Sequence, residues 1–121
     1  PDEARKHFIE CASDDPEELP ALLRNLQMMF KDLVRNRPYE IYANSPNFDC
    51  TIMKSLFNDH GMNMPWDFRK ERDLRTLCSQ ANINPKEVAK VPGFVAHNAY
   101  WDCRQQIAIY LAARQALRTQ S

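Results

Sequence analysis

The amino-acid sequence predicts a helix-rich α/β domain, and three features carry that prediction. Apolar residues recur at three- and four-residue steps from Leu19 to Leu33. One short alternating segment, Tyr39-Glu-Ile-Tyr-Ala43, stands between two helical patterns. A further long apolar stripe follows Asn98 to the end of the chain. With 121 residues the chain is expected to form one domain, residues 1–121, large enough to bury a core.

The elements follow in order. Asp2 to Cys11 reads as a short helix with Phe8 and Ile9 on its apolar side, and Ala12 to Glu18 as an acidic break. The next helix ends near Val34. Its stripe is Leu19, Leu22, Leu23, Leu26, Met29, Phe30 and Leu33, and Pro16 and Pro20 belong near its start. Pro38 forces an extended entry into the strand Tyr39–Ala43. Ser45-Pro46 then supplies an N-cap and a first-turn proline. Phe48, Ile52, Met53, Leu56 and Phe57 form the buried stripe of that helix, which Gly61 stops. Met62 to Lys70 is a loop carrying Pro65-Trp66. Leu74, Leu77, Cys78 and Ala81 mark another helix, and Asn84-Pro-Lys-Glu87 looks like a capping box on a short turn. Asn98 caps the last helix, whose stripe runs Ala99, Cys103, Ile107, Tyr110, Ala113, Leu117.

Composition excludes several function classes. Hydrophobic residues at 44% and charged residues at 26% are ordinary globular values and argue against disorder. Sixteen basic residues balance sixteen acidic ones, so the basic footprint of a dedicated duplex-DNA binder is missing. Gly61 and Gly93 are the two glycines of the chain, which rules out a P-loop or a Rossmann glycine fingerprint. The longest apolar run, Ile107 to Ala113, is far short of the ~20 residues that span a bilayer, and no signal peptide is visible. Cys11, Cys50, Cys78 and Cys103 are never closer than 25 residues, so no zinc-type pair exists. Buried, reduced thiols and a cytoplasmic setting are expected.

Two carboxylates occupy suggestive places. Asp49 lies in the first turn of the helix that follows the strand, and Asp102 near the start of the last helix, with His97 just ahead of it. Taken singly, each aspartate is equally a partner for the helix dipole, and His97 a surface or core histidine. The local sequences add more. Asn44-Ser-Pro-Asn-Phe48-Asp49 reads N-x-x-x-F-D, and His97-Asn-Ala-Tyr-Trp-Asp102 reads H-x-A-x-x-D. In this order they resemble the second and third motifs of the DEDDh (DnaQ-like) 3′–5′ exonucleases, which have the RNase H-like fold. Pro65-Trp66 and the segment Arg72-Asp-Leu-Arg75-Thr76 are similar to one branch, that of small bacterial exoribonuclease-like and phage or prophage exonucleases. The resemblance spans about residues 40 to 115.

The resemblance implies an RNase H-like fold and a two-metal site in which carboxylates hold Mg²⁺ or Mn²⁺ ions about 3.5–4 Å apart around a scissile phosphate. It implies that Asp49 and Asp102 are metal ligands and His97 the general base, a role that suits an imidazole. Single-stranded DNA or RNA would be the substrate. Asn44 and Phe48 would shape the strand–helix junction near it, and Arg72 or Arg75 would touch its backbone, unless the charges of this segment form a solvated face. Trp66 is either a core aromatic or a base-stacking surface. The family's first motif, D-x-E on an apolar strand, has no counterpart in such a setting. Asp15-Pro16-Glu17 matches its letters but sits in a polar, proline-containing helix start. The chain is therefore expected to begin after that motif and its strands, and by itself to hold metal weakly and digest nucleic acid poorly. A catalytically inactive, helix-rich binding or scaffold module with relic motifs is the alternative.

Overall fold

The computed structural model describes residues 18–120. The expected Asp2–Cys11 helix and the Asp15-Pro16-Glu17 triplet lie outside them. The chain divides into two compact units, one ending at Arg72 and the other beginning at Asp73. The architecture is mixed α/β and helix-rich, with a two-stranded sheet.

In the first unit, helix α1 (Glu18–Val34) ends where Arg35 and Asn36 turn left-handed, at φ 45° and 62°. Its last carbonyls are capped by side chains: Arg35 Nε donates to Asp32 O at 2.9 Å, and Arg37 donates to Val34 O and Leu33 O at 3.2 and 2.6 Å. Strand β1 (Ile41–Ala43) is two residues shorter than the sequence pattern. The two residues ahead of it are held by side chains instead. The Tyr39 ring meets Phe30 edge-on at 5.2 Å and its hydroxyl accepts from Asp67 N at 3.1 Å, while Glu40 pairs with Arg72 at 2.8 Å. β1 pairs with β2 (Glu71–Asp73), which runs to the boundary between the units.

Helix α2 (Pro46–Asp59) ends in a Schellman motif. Gly61, at φ +66°, donates to Asn58 O at 3.0 Å, and Met62 N donates to Phe57 O at 2.9 Å. Leu23, Leu56 and Phe57 are the buried centre of this unit, surrounded by Leu19, Leu26, Ile52, Met53, Met62 and Met64. α1 contributes a narrow seam of Leu19, Leu23 and Leu26. Leu22, Met29 and Leu33, which the periodicity places inside, are exposed, because the periodic stripe is wider than the face α1 buries.

In the second unit, helix α3 (Leu74–Gln80) starts on Asp73, whose carboxylate accepts from Arg75 N at 2.9 Å. It ends in another Schellman arrangement, with Asn82 in the αL position at φ 55° and Ile83 N donating to Cys78 O at 2.9 Å. A 3₁₀ turn follows at Pro85–Glu87, capped by Asn84. Helix α4 (Ala99–Thr119) packs on α3 and closes the unit. Leu74, Leu77, Cys78 and Ala81 are buried, as are Gln105, Ile109 and Ala113 of α4. The buried face of α4 is thus rotated from the expected stripe: Cys103 and Ile107 are exposed and Gln105 and Ile109 buried, while Ala113 lies inside as the stripe has it. Cys103 departs from the expectation of buried thiols, whereas Cys50 and Cys78 meet it. No described helix is long and apolar enough to cross a membrane.

Phe57 has no exposed surface, so Phe57→Ala is expected to cost about 3–5 kcal/mol, read as a fall in the urea midpoint. Leu33→Ala, at an exposed position, should stay within about 0.5 kcal/mol of the parent.

Candidate active site

Asp49 and Asp102 occupy the same register on their helices. Ser45 is the N-cap of α2 and Asn98 that of α4, so each aspartate is the fourth helical residue. Each donates its backbone N–H to the N-cap carbonyl, Asp49 to Ser45 O at 2.9 Å and Asp102 to Asn98 O at 2.8 Å. An aromatic residue, Phe48 or Trp101, precedes each of them. Asn44 and His97 stand immediately before the N-caps. The Cα–Cβ bonds of a helix tilt toward its N-terminus, so a fourth-position carboxylate lies over the first turn.

The first-turn donors are satisfied in different ways. On α4, Asn98 Oδ1 accepts from Tyr100 N at 3.1 Å and Trp101 N at 3.3 Å. On α2, Ser45 makes no side-chain cap, and Pro46 removes one donor by having no N–H. Asp49 is exposed and has an interaction of its own, while Asp102 is half-buried. No described residue donates a hydrogen bond or salt bridge to the Asp102 carboxylate. His97 is exposed and adopts φ +62°, a left-handed conformation uncommon outside glycine, directly before the cap. Asp49 belongs to the first unit, His97 and Asp102 to the second.

The remaining sequence candidates sit in the first unit, apart from Arg75. Asn44 and Phe48 are half-buried at the junction of β1 and α2. Trp66 is also half-buried: its indole N–H donates to Glu71 Oε2 at 2.8 Å and its ring lies 5.8 Å from that of Phe30. Arg72 is committed to structure, donating to Glu40 Oε2 at 2.8 Å and to the carbonyls of Arg69 and Glu71 at 2.8 and 3.0 Å. Arg75 is exposed, and no described residue engages its guanidinium. No sequence pattern marks Phe68. It is 71% exposed on a 3₁₀ turn (Phe68–Lys70), with the Arg69 guanidinium 5.7 Å above its ring. It borders a groove of about 340 Å³ with Asn47, Thr51, Lys54, Trp66 and Glu71. Nothing local distinguishes an exposed phenylalanine from a buried one in a loop, whereas the Trp66 and Arg72 patterns drew notice by their letters.

Burial and hydrogen bonding shift the titration of three groups. Burial, reinforced by the negative charge of Glu71, pushes the Cys50 thiol from 9.0 up to about 12. Burial also raises Cys78. The backbone N–H of Arg69 beside Asp67 holds that carboxyl below its usual range. Asp49 and Asp102 offer hard oxygen donors of the kind Mg²⁺ and Mn²⁺ prefer. They fit in kind but not in number, since among the described residues no three acidic, histidine or cysteine side chains gather as a metal cluster.

Residues 1–113 match the 3′-5′ exoribonuclease Rv2179c-like domain, and the chain belongs to that family. It is a nuclease-class hydrolase domain, with nucleic acid as the substrate its family implies. No curated protein and no solved structure matches the chain.

Among the cysteines at 50, 78 and 103, iodoacetamide at pH 8 should label Cys103 first, because it is exposed while the other two are buried with raised pKa values. As the pH climbs from 9.0 toward about 12, the native state should lose the stability that comes from keeping Cys50 protonated. Peptide mapping of the labelled protein checks the order. Asn98→Ala should cost about 1 kcal/mol by leaving Tyr100 N and Trp101 N without their acceptor, measured by urea denaturation.

Proposed function

We propose that the chain is a DEDDh-type 3′–5′ exonuclease of RNase H-like fold that removes nucleotides from single-stranded ends with the aid of Mg²⁺ or Mn²⁺. The observation that carries this reading is the shared register of Asp49 and Asp102 on α2 and α4, in a chain of the exoribonuclease-like family. On this reading Asp49 and Asp102 each serve as a ligand for a divalent cation, together with carboxylates not found among the described residues. Bound cations supply charge neutralisation for the scissile phosphate and the departing oxygen.

The chain's own residues do the rest. His97 accepts a proton from the water that attacks the terminal phosphorus. The new P–O bond forms as the bond to the 3′ oxygen breaks, and that oxygen leaves as a hydroxyl after taking up a proton. Asn98, by satisfying the first-turn donors of α4, leaves the Asp102 carboxylate available for a cation. Exposed Arg75 supplies a cation for the strand's phosphates, and Phe68 supplies an aromatic face for a base.

Assays with labelled single-stranded RNA and DNA in the full natural protein test this directly. Asp49→Asn and Asp102→Asn should each abolish Mn²⁺-dependent digestion without unfolding the protein. His97→Ala should lower the rate about 10²–10⁴-fold. Titration with Mn²⁺ should broaden the NMR signals of both aspartates together. Digestion that persists in excess EDTA, or an Asp102→Asn protein as active as the parent, would sink the proposal and favour the inactive scaffold module.

A further inference from the structure

We infer that Gln105 is a positioning residue for His97: through the backbone of residues 88–91 it holds the segment that carries the histidine. The inference rests on the reading of His97 as the general base. Gln105 is the buried polar side chain of the second unit, 4% exposed on the face of α4 that also carries Ile109 and Ala113. Its amide is fully engaged. Oε1 accepts from Val91 N at 2.9 Å, and Nε2 donates to Ala89 O at 3.2 Å and, more weakly, to Val88 O at 3.5 Å. Those groups belong to an irregular stretch outside any helix or strand. Without the amide, Val91 N would lose its partner in a half-buried setting.

A second anchor lies on the same face, one turn earlier. Gly93 adopts φ +85°, and a Cβ built there would stand 2.9 Å from Trp101 Cη2. The backbone therefore lies directly on the indole ring. Phe94 N closes a turn on Val91 O at 3.1 Å, and the Lys90 ammonium sits 4.7 Å above the Phe94 ring. The third anchor is Asn98 itself, the cap of α4. His97 stands between the second and third anchors in a left-handed conformation that a loose segment would not maintain. A leucine at position 105 would satisfy the packing of α3 on α4 more cheaply than a glutamine. What the glutamine adds is the fixed path of residues 88–91 and, through it, of the histidine.

A double-mutant cycle on the full natural protein, with kcat and KM measured on a short single-stranded oligonucleotide and Mn²⁺, tests the inference. Gln105→Leu should lower kcat about 10–100-fold with KM unchanged, since a displaced base loses alignment rather than substrate binding. Gln105→Glu, which keeps an acceptor for Val91 N, should recover part of that loss. In a His97→Ala background Gln105→Leu should have no further effect, because both changes disable the same group. An equal fold-loss in both backgrounds would overturn the inference. Amide hydrogen exchange supplies a readout without activity. Val91 and Phe94, the hydrogen-bonded amides of the segment, should exchange at least about 10-fold faster in Gln105→Leu while Ile109 and Ala113 stay protected. Unchanged exchange at Val91 would also overturn it. Absence of digestion by the parent protein, or a His97→Ala protein of full activity, would remove the exonuclease reading or the role of His97. The catalytic role of Gln105 would fall with either, and the exchange rates would show separately whether the clamp exists.

Discussion

The backbone N–H groups at a helix start demand acceptors, and on α4 Asn98 meets that demand in place of Asp102. Asn98 takes two donors of α4 on one oxygen, and Pro46 removes one donor of α2 outright. Had Asp102 stood at the N-cap itself, its carboxylate would have been consumed by the backbone. Placed fourth in the helix instead, it keeps the favourable field of the dipole without the capping duty. The arrangement costs little, because the same asparagine that starts α4 also leaves the Asp102 carboxylate over the first turn.

α4 carries several duties along one continuous element. Asn98 begins it, Asp102 follows within one turn, Trp101 and Gln105 receive the preceding segment, and Ile109 and Ala113 close the packing on α3. Rigidity in the packed half is therefore available to the half that carries Asn98 and Asp102. The chain of support runs from the buried Leu74, Leu77 and Cys78 through α4 to its N-terminal turn. In the first unit Leu23, Leu56 and Phe57 give α2 the same kind of support, with Asp49 a turn or two ahead of the buried residues.

What could be read from the sequence was governed by how local the determining physics is. Ser45-Pro46, Gly61, Asn84 and Asn98 act within a few residues, and each marks an element boundary in the structure. The buried face of α4 could not be read that way. Its sequence offers apolar residues on more than one face, and the choice between Ile107 and Ile109 depends on where α3 and residues 88–91 lie. A buried glutamine defeats periodicity altogether, since its burial is justified by carbonyls and an N–H 14 to 17 positions away. Arg72 shows the same limit. The sequence marks a cation, but Glu40 and two carbonyls have already claimed it. The motif letters located Asp49, His97 and Asp102 at helix starts because that placement is local. Their mutual arrangement is a long-range property that no spacing encodes.

Charge explains why a neutral chain and a polyanionic substrate are compatible. Sixteen acidic residues cancel sixteen basic ones, and several arginines are spent on the protein's own backbone. Arg35 and Arg37 cap the carbonyls that end α1, and Arg72 braces the turn before β2. A protein whose basic and acidic residues cancel gains little affinity from counterion release, since that term grows with the number of phosphates it neutralises. On the proposed reading the missing positive charge is recruited from solvent as divalent cations, and helix-start carboxylates are the groups that recruit it. The acidic residues that reduce affinity for nucleic acid in general then become the means of gripping one phosphate in particular, and grip falls where bond breaking requires it rather than along the whole strand.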